Sequence, residues 1–433
     1  MKSSGIYVGL DIGTSSVKVI VGEMIDKSLN IIGVGTSETY GIRKGVVVDI
    51  DEVVQSIQEA VTEAENMVGI KINQVLLGIP SHQVQIHPCN GVVTVANEDR
   101  EITDHEIDRV IDAAQSVIIP PDQEMVNLLP HDFILDGYKV TDPRGMIGVR
   151  LELEASLITG PMTLIYNLIR CVEKAGLQIN DVCLQSVASG SVALSKDEKD
   201  LGVALVDLGA GTTTVSVFEH GILQHSVLLS IGGENISKDL SIVLRTSLED
   251  AEKVKLEYGY AHPAYVSDEE TFTIPIIGSD EYGEFSHRFV AEIIEPRVEE
   301  IFLMVKETLV ELGYEDLAGG IVLTGGASSL PGILEVAKRL IHSNVRIAIP
   351  DYIGVRDPKF TTSVGIIQFM DEQYEILGVE PSEFPLEEIK ADRQEYAEEP
   401  APKNSKVKLP KPPKKEEETI SNKVKRIIGM LFD

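Results

Sequence analysis

Two short segments of this sequence, one near the N-terminus and one near the middle, have the same design. The first, residues 8–18, reads VGLDIGTSSVK, and the second, residues 204–214, reads ALVDLGAGTTT. In each, a run of apolar residues is followed by an aspartate, a turn that contains glycine, a hydroxyl cluster and a second strand-like stretch, which predicts a β-hairpin. The repeat predicts a duplicated fold, and two such turns can hold the phosphates of one nucleotide from two sides.

The residue types in the two turns suit phosphate binding. Glycine lets a phosphate approach the main chain, successive backbone N–H groups form an anion-binding concavity, and hydroxyls add donors. Lys18 offers a positive charge, and ionised Asp11 and Asp207 suit a hydrated Mg²⁺ ion. One such turn alone is usually a plain hairpin, and no Walker-type G-x-x-x-x-G-K-[ST] loop is present. The pair therefore predicts phosphate contacts from Gly13, Thr14, Ser15, Ser16, Lys18, Gly209, Gly211, Thr212 and Thr213.

The pair of hairpins resembles the two phosphate loops of the actin/Hsp70/sugar-kinase ATPase superfamily. Three further segments fit that family in the same order along the chain. Residues 184–190 (LQSVASG) resemble its first connecting helix, and residues 319–328 (GGIVLTGGAS) resemble its adenosine loop. Residues 251–255 (AEKVK), followed by Gly259, are similar to the helix that contacts adenine and ribose. The resemblance covers most of the chain.

This resemblance implies that ATP and Mg²⁺ are the cofactors. It implies that Asp11 and Asp207 hold the metal through water, and that Gln185 takes the place of the residue that positions the attacking water. Gln185, Asp11 and Asp207 are thus the expected catalytic set, and hydrolysis is expected to be slow at most. The other implied nucleotide contacts are Gly233, Glu234, Glu252, Lys255, Gly325, Gly326, Ala327 and Ser328.

The predicted fold is α/β: an actin-like duplicated ATPase core with two small inserted subdomains, a disordered linker and a C-terminal amphipathic helix. Helices are predicted over Asp49–Met67, from Thr103, with Glu106 completing a capping box, and over Glu292–Leu312. The segment Thr361–Met370 is expected to close the globular part. The predicted divisions are 1–83 (first half), 84–160 (inserted α+β subdomain), 161–200 (first half continued), 201–231 (second half), 232–305 (second inserted subdomain), 306–380 (second half continued and the closing segment of the first), 381–419 (linker) and 420–433 (membrane-targeting helix).

Composition excludes several classes of function. The net charge of −31 argues against nucleic acid as a partner, because binding to phosphate backbones needs a basic surface. Cys89, Cys171 and Cys183 lack metal or redox spacing, which is typical of a protein in a reducing cytoplasm. We see no signal peptide, and no apolar run reaches the roughly 18 residues of a transmembrane segment.

The C-terminal end changes character twice. Residues 381–419 are rich in Pro, Lys and Glu and poor in aliphatic residues, which predicts a disordered linker. Residues 420–433 place apolar side chains on one helix face, and such a helix is too short to span a bilayer but can lie at its surface. Docking onto the body or into a partner groove are the alternatives. The expected membrane contacts are Ile420, Lys423, Val424, Lys425, Arg426, Ile427, Ile428, Leu431 and Phe432.

The whole layout, including residues 41–47 (GIRKGVV) and 230–235 (SIGGEN), resembles the FtsA family of bacterial cell-division proteins. The resemblance implies an actin-like polymer that tethers the FtsZ ring to the cytoplasmic face of the cell membrane at the division septum. It also implies recruitment of downstream divisome membrane proteins. The family alone places the FtsZ contact on 232–305, and filament and divisome contacts on 84–160.

Three other kinds of protein in the superfamily are alternatives. A pilus-assembly actin-like ATPase could carry a similar insert, although the lipid-type tail argues against it. A phosphotransferase such as a sugar kinase would need a general-base carboxylate facing an acceptor hydroxyl, and we find no motif for one. An Hsp70-type chaperone would carry a β-rich peptide-binding domain after the nucleotide domain, whereas only a linker and a short helix follow here.

Overall fold

The protein contains two five-stranded sheets with the same strand topology. In the computed structural model, which describes residues 5–97, 99–278, 282–341 and 343–378, eighteen strands can be numbered. They are β1 (Gly5–Ile12), β2 (Ser16–Ile25), β3 (Ser28–Glu38), β4 (Ile42–Arg43), β5 (Val46–Val47), β6 (Gln74–Ile79), β7 (Gln85–Thr94), β8 (Gln123–Leu135), β9 (Tyr138–Val140), β10 (Arg150–Pro161), β11 (Gln178–Leu184), β12 (Val203–Leu208), β13 (Thr213–Glu219), β14 (Ile222–Leu229), β15 (Thr271–Pro275), β16 (Tyr282–Ser286), β17 (Ile321–Thr324) and β18 (Val345–Ile347).

The helices cover and connect these sheets. They are α1 (Ile50–Val68), α2 (Asp104–Gln115), α3 (Met162–Lys174), α4 (Gln185–Ala193), α5 (Lys196–Leu201), α6 (Gly233–Leu244), α7 (Leu248–Tyr258), α8 (His287–Glu311), α9 (Ile333–Ile341) and α10 (Thr361–Leu377). Within the described ranges, no helix is both long and apolar enough to cross a membrane. The predicted linker (381–419) and amphipathic helix (420–433) lie outside the described residues.

The duplication is visible in the order of the strands. The first sheet runs β11-β6-β1-β2-β3 and the second runs β18-β17-β12-β13-β14. In each, the leading strand pairs antiparallel with the next strand and parallel with a strand that arrives after a crossover. Strands β1 and β12 are buried along most of their length, as their continuous apolar runs predict. The predicted duplicated α/β core is confirmed.

The segment between β6 and α3 builds a separate small sheet of order β7-β10-β8-β9, covered by α2. Helix α2 has the predicted capping box, in which Glu106 accepts from the backbone N–H of Thr103 at 3.2 Å. Asn127 of β8 ties this sheet to the first half, because its amide bonds the backbone of β11 at Val182 and Leu184, at 2.8 and 2.9 Å.

Two helix boundaries differ from their predictions. The prediction that α8 begins at Glu292 is wrong, because Ser286 caps the helix by accepting from the N–H of Phe289 at 3.2 Å. Helix α10, which we expected to close the fold at Met370, continues to Leu377. The prediction for α1 is confirmed: Asp49 caps its N-terminus and Gly69 ends it in a left-handed conformation.

Helix α10 joins three parts of the molecule. Near its N-terminus it packs closely on α4, where a Cβ atom on Gly365 would lie 2.5 Å from the carbonyl carbon of Ala188. Further along, Asp371 accepts from the hydroxyl of Tyr7 in β1 at 2.9 Å. At its C-terminal end, Arg144 of the inserted sheet donates to the carbonyl oxygen of Ile376 at 2.9 Å. The helix therefore contacts both the core and the insert.

Candidate functional site

The two predicted hairpins form with equivalent strand register. Asp11 lies opposite Lys18 across the first turn, and Asp207 lies opposite Thr214 across the second. The turns close in the same way: Gly13 N–H donates to the Ser16 carbonyl at 3.0 Å, and Gly209 N–H donates to the Thr212 carbonyl at 2.9 Å. Each half therefore presents one carboxylate and one glycine turn at the same place in its sheet.

The two turns meet across the cleft between the halves. A Cβ atom on Gly211 of the second turn would overlap the methyl group of Thr14 in the first and lie 3.2 Å from its Cβ. Only a residue without a side chain permits this approach. The predicted phosphate-binding residues of 13–18 and 209–213 are thus brought together on facing walls, as two loops gripping one anion would require.

Asp11 is held by two donors. The Lys18 Nζ lies 3.3 Å from Oδ2 of Asp11, and Gln185 Nε2 donates to Oδ1 at 2.9 Å. Asp11 and Lys18 are buried, which makes their pairing necessary, because a lone charge there would be poorly solvated. Gln185 is the first residue of α4, and a Cβ on Gly78 of β6 would lie 3.2 Å from its Cγ, so β6 fixes its position.

Asp207 has a different environment. Its Oδ2 accepts from the hydroxyl of Thr362 at 3.3 Å, and no cationic side chain pairs with it in the part of the chain that the structure describes. It is only partly covered at the surface of the cleft, yet loss of hydration raises its pKa to about 6. The nearby charge of Asp11 adds to the rise, while Lys18 opposes it. Asp207 is therefore the carboxylate with unused capacity for a cation.

On the side of the second half, three of the predicted segments lie next to one another: 230–235, 251–255 and 319–328. Gly233 N–H donates to the Gly209 carbonyl at 3.0 Å, so α6 starts on the second turn. Lys255 Nζ donates to the carbonyl oxygen of Gly233 at 3.1 Å and pairs with Glu252 at 2.7 Å. A Cβ on Gly233 would lie 3.4 Å from the methyl of Ala327. Residues predicted to contact the nucleoside thus lie beside the turn predicted to contact its phosphates.

The loop after β17 closes the floor of the site. Gly325 has φ 84°, and a Cβ there would overlap the carboxylate of Asp207, so glycine is required on both counts. Ser328 is buried and donates its hydroxyl to the Gly325 carbonyl at 2.7 Å. Gly326 begins a short 3₁₀ turn that ends at Ser329. This loop packs directly against the carboxylate that could receive a cation.

The donor groups of the site are those that a metal-bound nucleotide needs. Within the described ranges, no group of three or more His, Cys, Asp or Glu side chains could coordinate a metal by itself. A cation between Asp11 and Asp207 would need water or phosphate oxygens as further ligands, which is how Mg²⁺ binds beside nucleotides. The facing glycine turns, the buried lysine and the exposed side of Asp207 therefore fit a magnesium-bound polyphosphate.

Sequence reasoning missed two residues of the site, Thr362 and Ser189. Both are buried, and their hydroxyl oxygens lie 2.8 Å apart. Thr362 lies 155 positions after Asp207 and is the second residue of α10, close to the helix start, where a hydroxyl usually indicates only a helix cap. No local pattern distinguishes this threonine from such a cap.

Comparisons with known proteins bear on the family to which the chain belongs. A family described as "Cell division protein FtsA" matches residues 204–365, and an "SHS2 domain inserted in FTSA" matches residues 81–159. The chain is 46% identical to the cell division protein FtsA of Bacillus subtilis strain 168 over 440 residues, a match that covers 100% of both chains.

Solved structures show the same architecture at low sequence identity. The PilM-PilN type IV pilus biogenesis complex matches with a TM-score of 0.58 and 16% identity, over 87% of this chain and 99% of that one. MreB5 of Spiroplasma citri bound to ADP matches with a TM-score of 0.52 and 15% identity, over 86% and 98%. At this identity the likeness concerns the fold alone, and it confirms the predicted actin-like architecture.

Proposed function

Because the chain belongs to the FtsA family of bacterial cell-division proteins, we propose that it binds Mg-ATP between its two halves and anchors the FtsZ ring to the membrane. The observation that carries the nucleotide part is the pair of facing hairpins, each with its own carboxylate. Glycine turns supply backbone donors to phosphates, and Lys18 supplies positive charge between the halves. Magnesium, when bound there, would neutralise phosphate charge next to Asp207 and Asp11.

Hydrolysis in this proposal is slow and serves assembly. The amide nitrogen of Gln185 is occupied by Asp11, so its carbonyl oxygen is the group left to orient water. Glu252 and Lys255 bond each other and the start of α6 and so shape the wall that faces the nucleoside. A site that holds its nucleotide firmly suits a scaffold more than a fast enzyme.

Self-assembly and divisome contacts are assigned to the inserted sheet of residues 84–160. This small subdomain leaves large apolar side chains in solvent, including Ile118, Tyr138 and Ile147. Where exposed apolar side chains form a contiguous patch, they mark protein–protein contacts. They support a polymer of this chain and the recruitment of later division proteins through the same subdomain.

FtsZ is assigned to the second insert, residues 232–305, on the strength of family membership. This region also exposes apolar side chains, among them Leu256, Ile277 and Tyr282. The membrane is assigned to residues 420–433, which place their protein on the cytoplasmic face at the septum. One such helix binds weakly, and several tails on one polymer bind together more firmly through effective concentration.

The membrane function is tested by sedimenting liposomes that contain anionic lipid with FtsZ and Mg-ATP. We expect FtsZ to appear in the liposome pellet with the full chain, and to stay in solution with a version that ends at Glu418. The double substitution Ile427→Glu and Ile428→Glu should also release the protein, because it places charge on the apolar face. Co-sedimented FtsZ is the measurement.

The matched control adds the same charge to the opposite face of the helix, through Asn422→Glu and Gly429→Glu. It should lose far less binding than the apolar-face variant. Equal losses would show that net charge, not the apolar face, governs attachment. If the version ending at Glu418 still carries FtsZ to liposomes, the tail is not the anchor.

A further inference from the structure

Thr362 is a further residue of the nucleotide site. We propose that it positions Asp207 to receive the cation that accompanies the nucleotide, and that Ser189 in turn orients Thr362. This inference rests on the proposed function, since it concerns how the chain prepares one carboxylate for Mg-ATP. It does not depend on polymerisation, FtsZ or the membrane.

The direct observation is the bond to Asp207. Thr362 is buried, and its Oγ1 lies 3.3 Å from Oδ2 of Asp207. Within the described residues, this hydroxyl is the only side-chain hydrogen-bond partner of Asp207. The other carboxylate oxygen lies against Gly325, whose missing Cβ makes room for it. The carboxylate is therefore oriented from two sides by groups that carry no charge.

The direction of the hydrogen bonds follows from the chemistry of the groups. An ionised carboxylate only accepts, and a hydroxyl has one proton to donate. When Thr362 gives its proton to Asp207, Ser189, whose Oγ lies 2.8 Å from the Thr362 hydroxyl, must be the donor to Thr362. The chain Ser189 to Thr362 to Asp207 is thus polarised toward the carboxylate, which strengthens both bonds.

The same helix face serves both carboxylates. Ser189 lies four positions after Gln185 on α4, and residues at this spacing share one side of a helix. Gln185 holds Asp11 directly, while Ser189 holds Asp207 through Thr362. One rigid element therefore sets the relative orientation of two groups that come from different halves.

The type of donor matters for binding a cation. Asp11 is already paired with Lys18, whereas Asp207 is held by a hydroxyl that leaves its negative charge available. Thr361, the preceding residue, bonds the hydroxyl of Thr324 at 2.7 Å, so the start of α10 is fixed to the second half. Thr362 can then orient Asp207 without competing with the cation.

The test compares nucleotide binding by full-length Thr362→Val, Thr362→Ser and wild-type protein, with ATP as the probe. Valine keeps the shape of threonine and removes the donor. We expect the Kd for ATP in Mg²⁺ to rise about tenfold in Thr362→Val, the size of one hydrogen bond to a charged group. In EDTA its Kd should match wild type, and Thr362→Ser should restore the Mg²⁺ value. Ser189→Ala should show a smaller change of the same sign.

The outcomes separate this inference from the proposed function. If wild-type protein fails to bind Mg-ATP, the proposed function is wrong. If wild type binds and Thr362→Val matches it in Mg²⁺, the positioning role is wrong. Equal weakening with and without Mg²⁺ would make Thr362 a packing residue and also overturns the inference. If Thr362→Val does not fold, the ATP affinity of Ser189→Ala in Mg²⁺, compared with wild type, still tests the inference.

Discussion

Replacing Asp207 with asparagine should nearly abolish Mg-ATP binding and, at the same time, raise the melting temperature of the nucleotide-free protein. Binding should weaken by about 100-fold or more, because a charged partner of the cation is lost. Stability should rise because Asp207 carries its charge in a cleft that hydrates it poorly, with Asp11 nearby. A residue that costs stability without its ligand is typical of a binding site.

The sign of the stability effect follows from the pKa. Asp207 has a pKa of about 6 in the folded protein against an ordinary value of 3.8, so the folded state binds its proton more tightly than the unfolded chain. The stabilisation of the folded state by the proton on Asp207 is complete below about pH 4 and is lost as the pH rises through about 6. Full ionisation costs at most about 3 kcal/mol, and less because the residue keeps some contact with solvent.

The measurement is the melting temperature without nucleotide from pH 5 to pH 8, together with ATP affinity in Mg²⁺. Wild-type protein should lose this contribution as the pH rises, and Asp207→Asn should lack it. The matched control is Asp11→Asn, which leaves buried Lys18 without its counter-charge and should destabilise the protein by about 3 kcal/mol. Opposite shifts in melting temperature are expected from the same chemical change.

Two results would contradict the assignment of Asp207. The first is unchanged affinity for Mg-ATP in Asp207→Asn. The second is a loss of stability as large as that of Asp11→Asn, which would make Asp207 a structural residue. If Asp207→Asn is more stable than wild type but still binds Mg-ATP, the pKa argument holds and the role of Asp207 in cation binding is wrong.

Gly365→Ala should be strongly destabilising, because the added methyl group falls in the contact between α4 and α10. Its Cβ would overlap the carbonyl oxygen of Ala188 and lie 3.2 Å from the backbone nitrogen of Ser189. Because both neighbours are backbone atoms, α4 and α10 would have to separate. We expect a loss of about 3 kcal/mol in stability, at the upper end for overpacking.

The same change should weaken Mg-ATP binding, because α4 carries Gln185 and Ser189. Urea unfolding and ATP affinity are the measurements. Gly69→Ala is the control: it adds one methyl where nothing lies within 4 Å, and it strains only a left-handed residue with φ 74°, at a cost of about 1 kcal/mol. If the two variants lose equal stability, or if Gly365→Ala binds Mg-ATP normally, the contact between α4 and α10 does not set the site.

Most of what the sequence predicted depends on local interactions. The two hairpins were predicted because each strand, glycine turn and second strand are contiguous in the sequence, and their register then places Asp11 opposite Lys18. Apolar periodicity gave α1 and a capping box gave the start of α2 for the same reason. The resemblance to a family gave Gln185 a place in the site, but its contact with Asp11 was not predicted, because it joins residues 174 positions apart.

The start of α8 was missed although its Ser286 cap is local, whereas two other misses concern long-range contacts. The last turns of α10 contain Asp371, Glu372 and Glu375, which resemble a solvated end, yet Ile376 packs on the core of the inserted sheet. The polar residues gave no sign of that neighbour. Thr362 was missed for a similar reason, since its role depends on where β12 ends in space.

The C-terminal end of α10 also determines where mechanical force enters the protein. Any pull on the chain beyond Gly378 is applied first to the last turn of this helix. That turn is held by Arg144, through the carbonyl of Ile376, and by Lys27, through Glu375 at 2.7 Å. A load would therefore divide between the first half and the inserted sheet before it reached the cleft. The inserted sheet would thus carry part of the load that otherwise acts on the proposed nucleotide site.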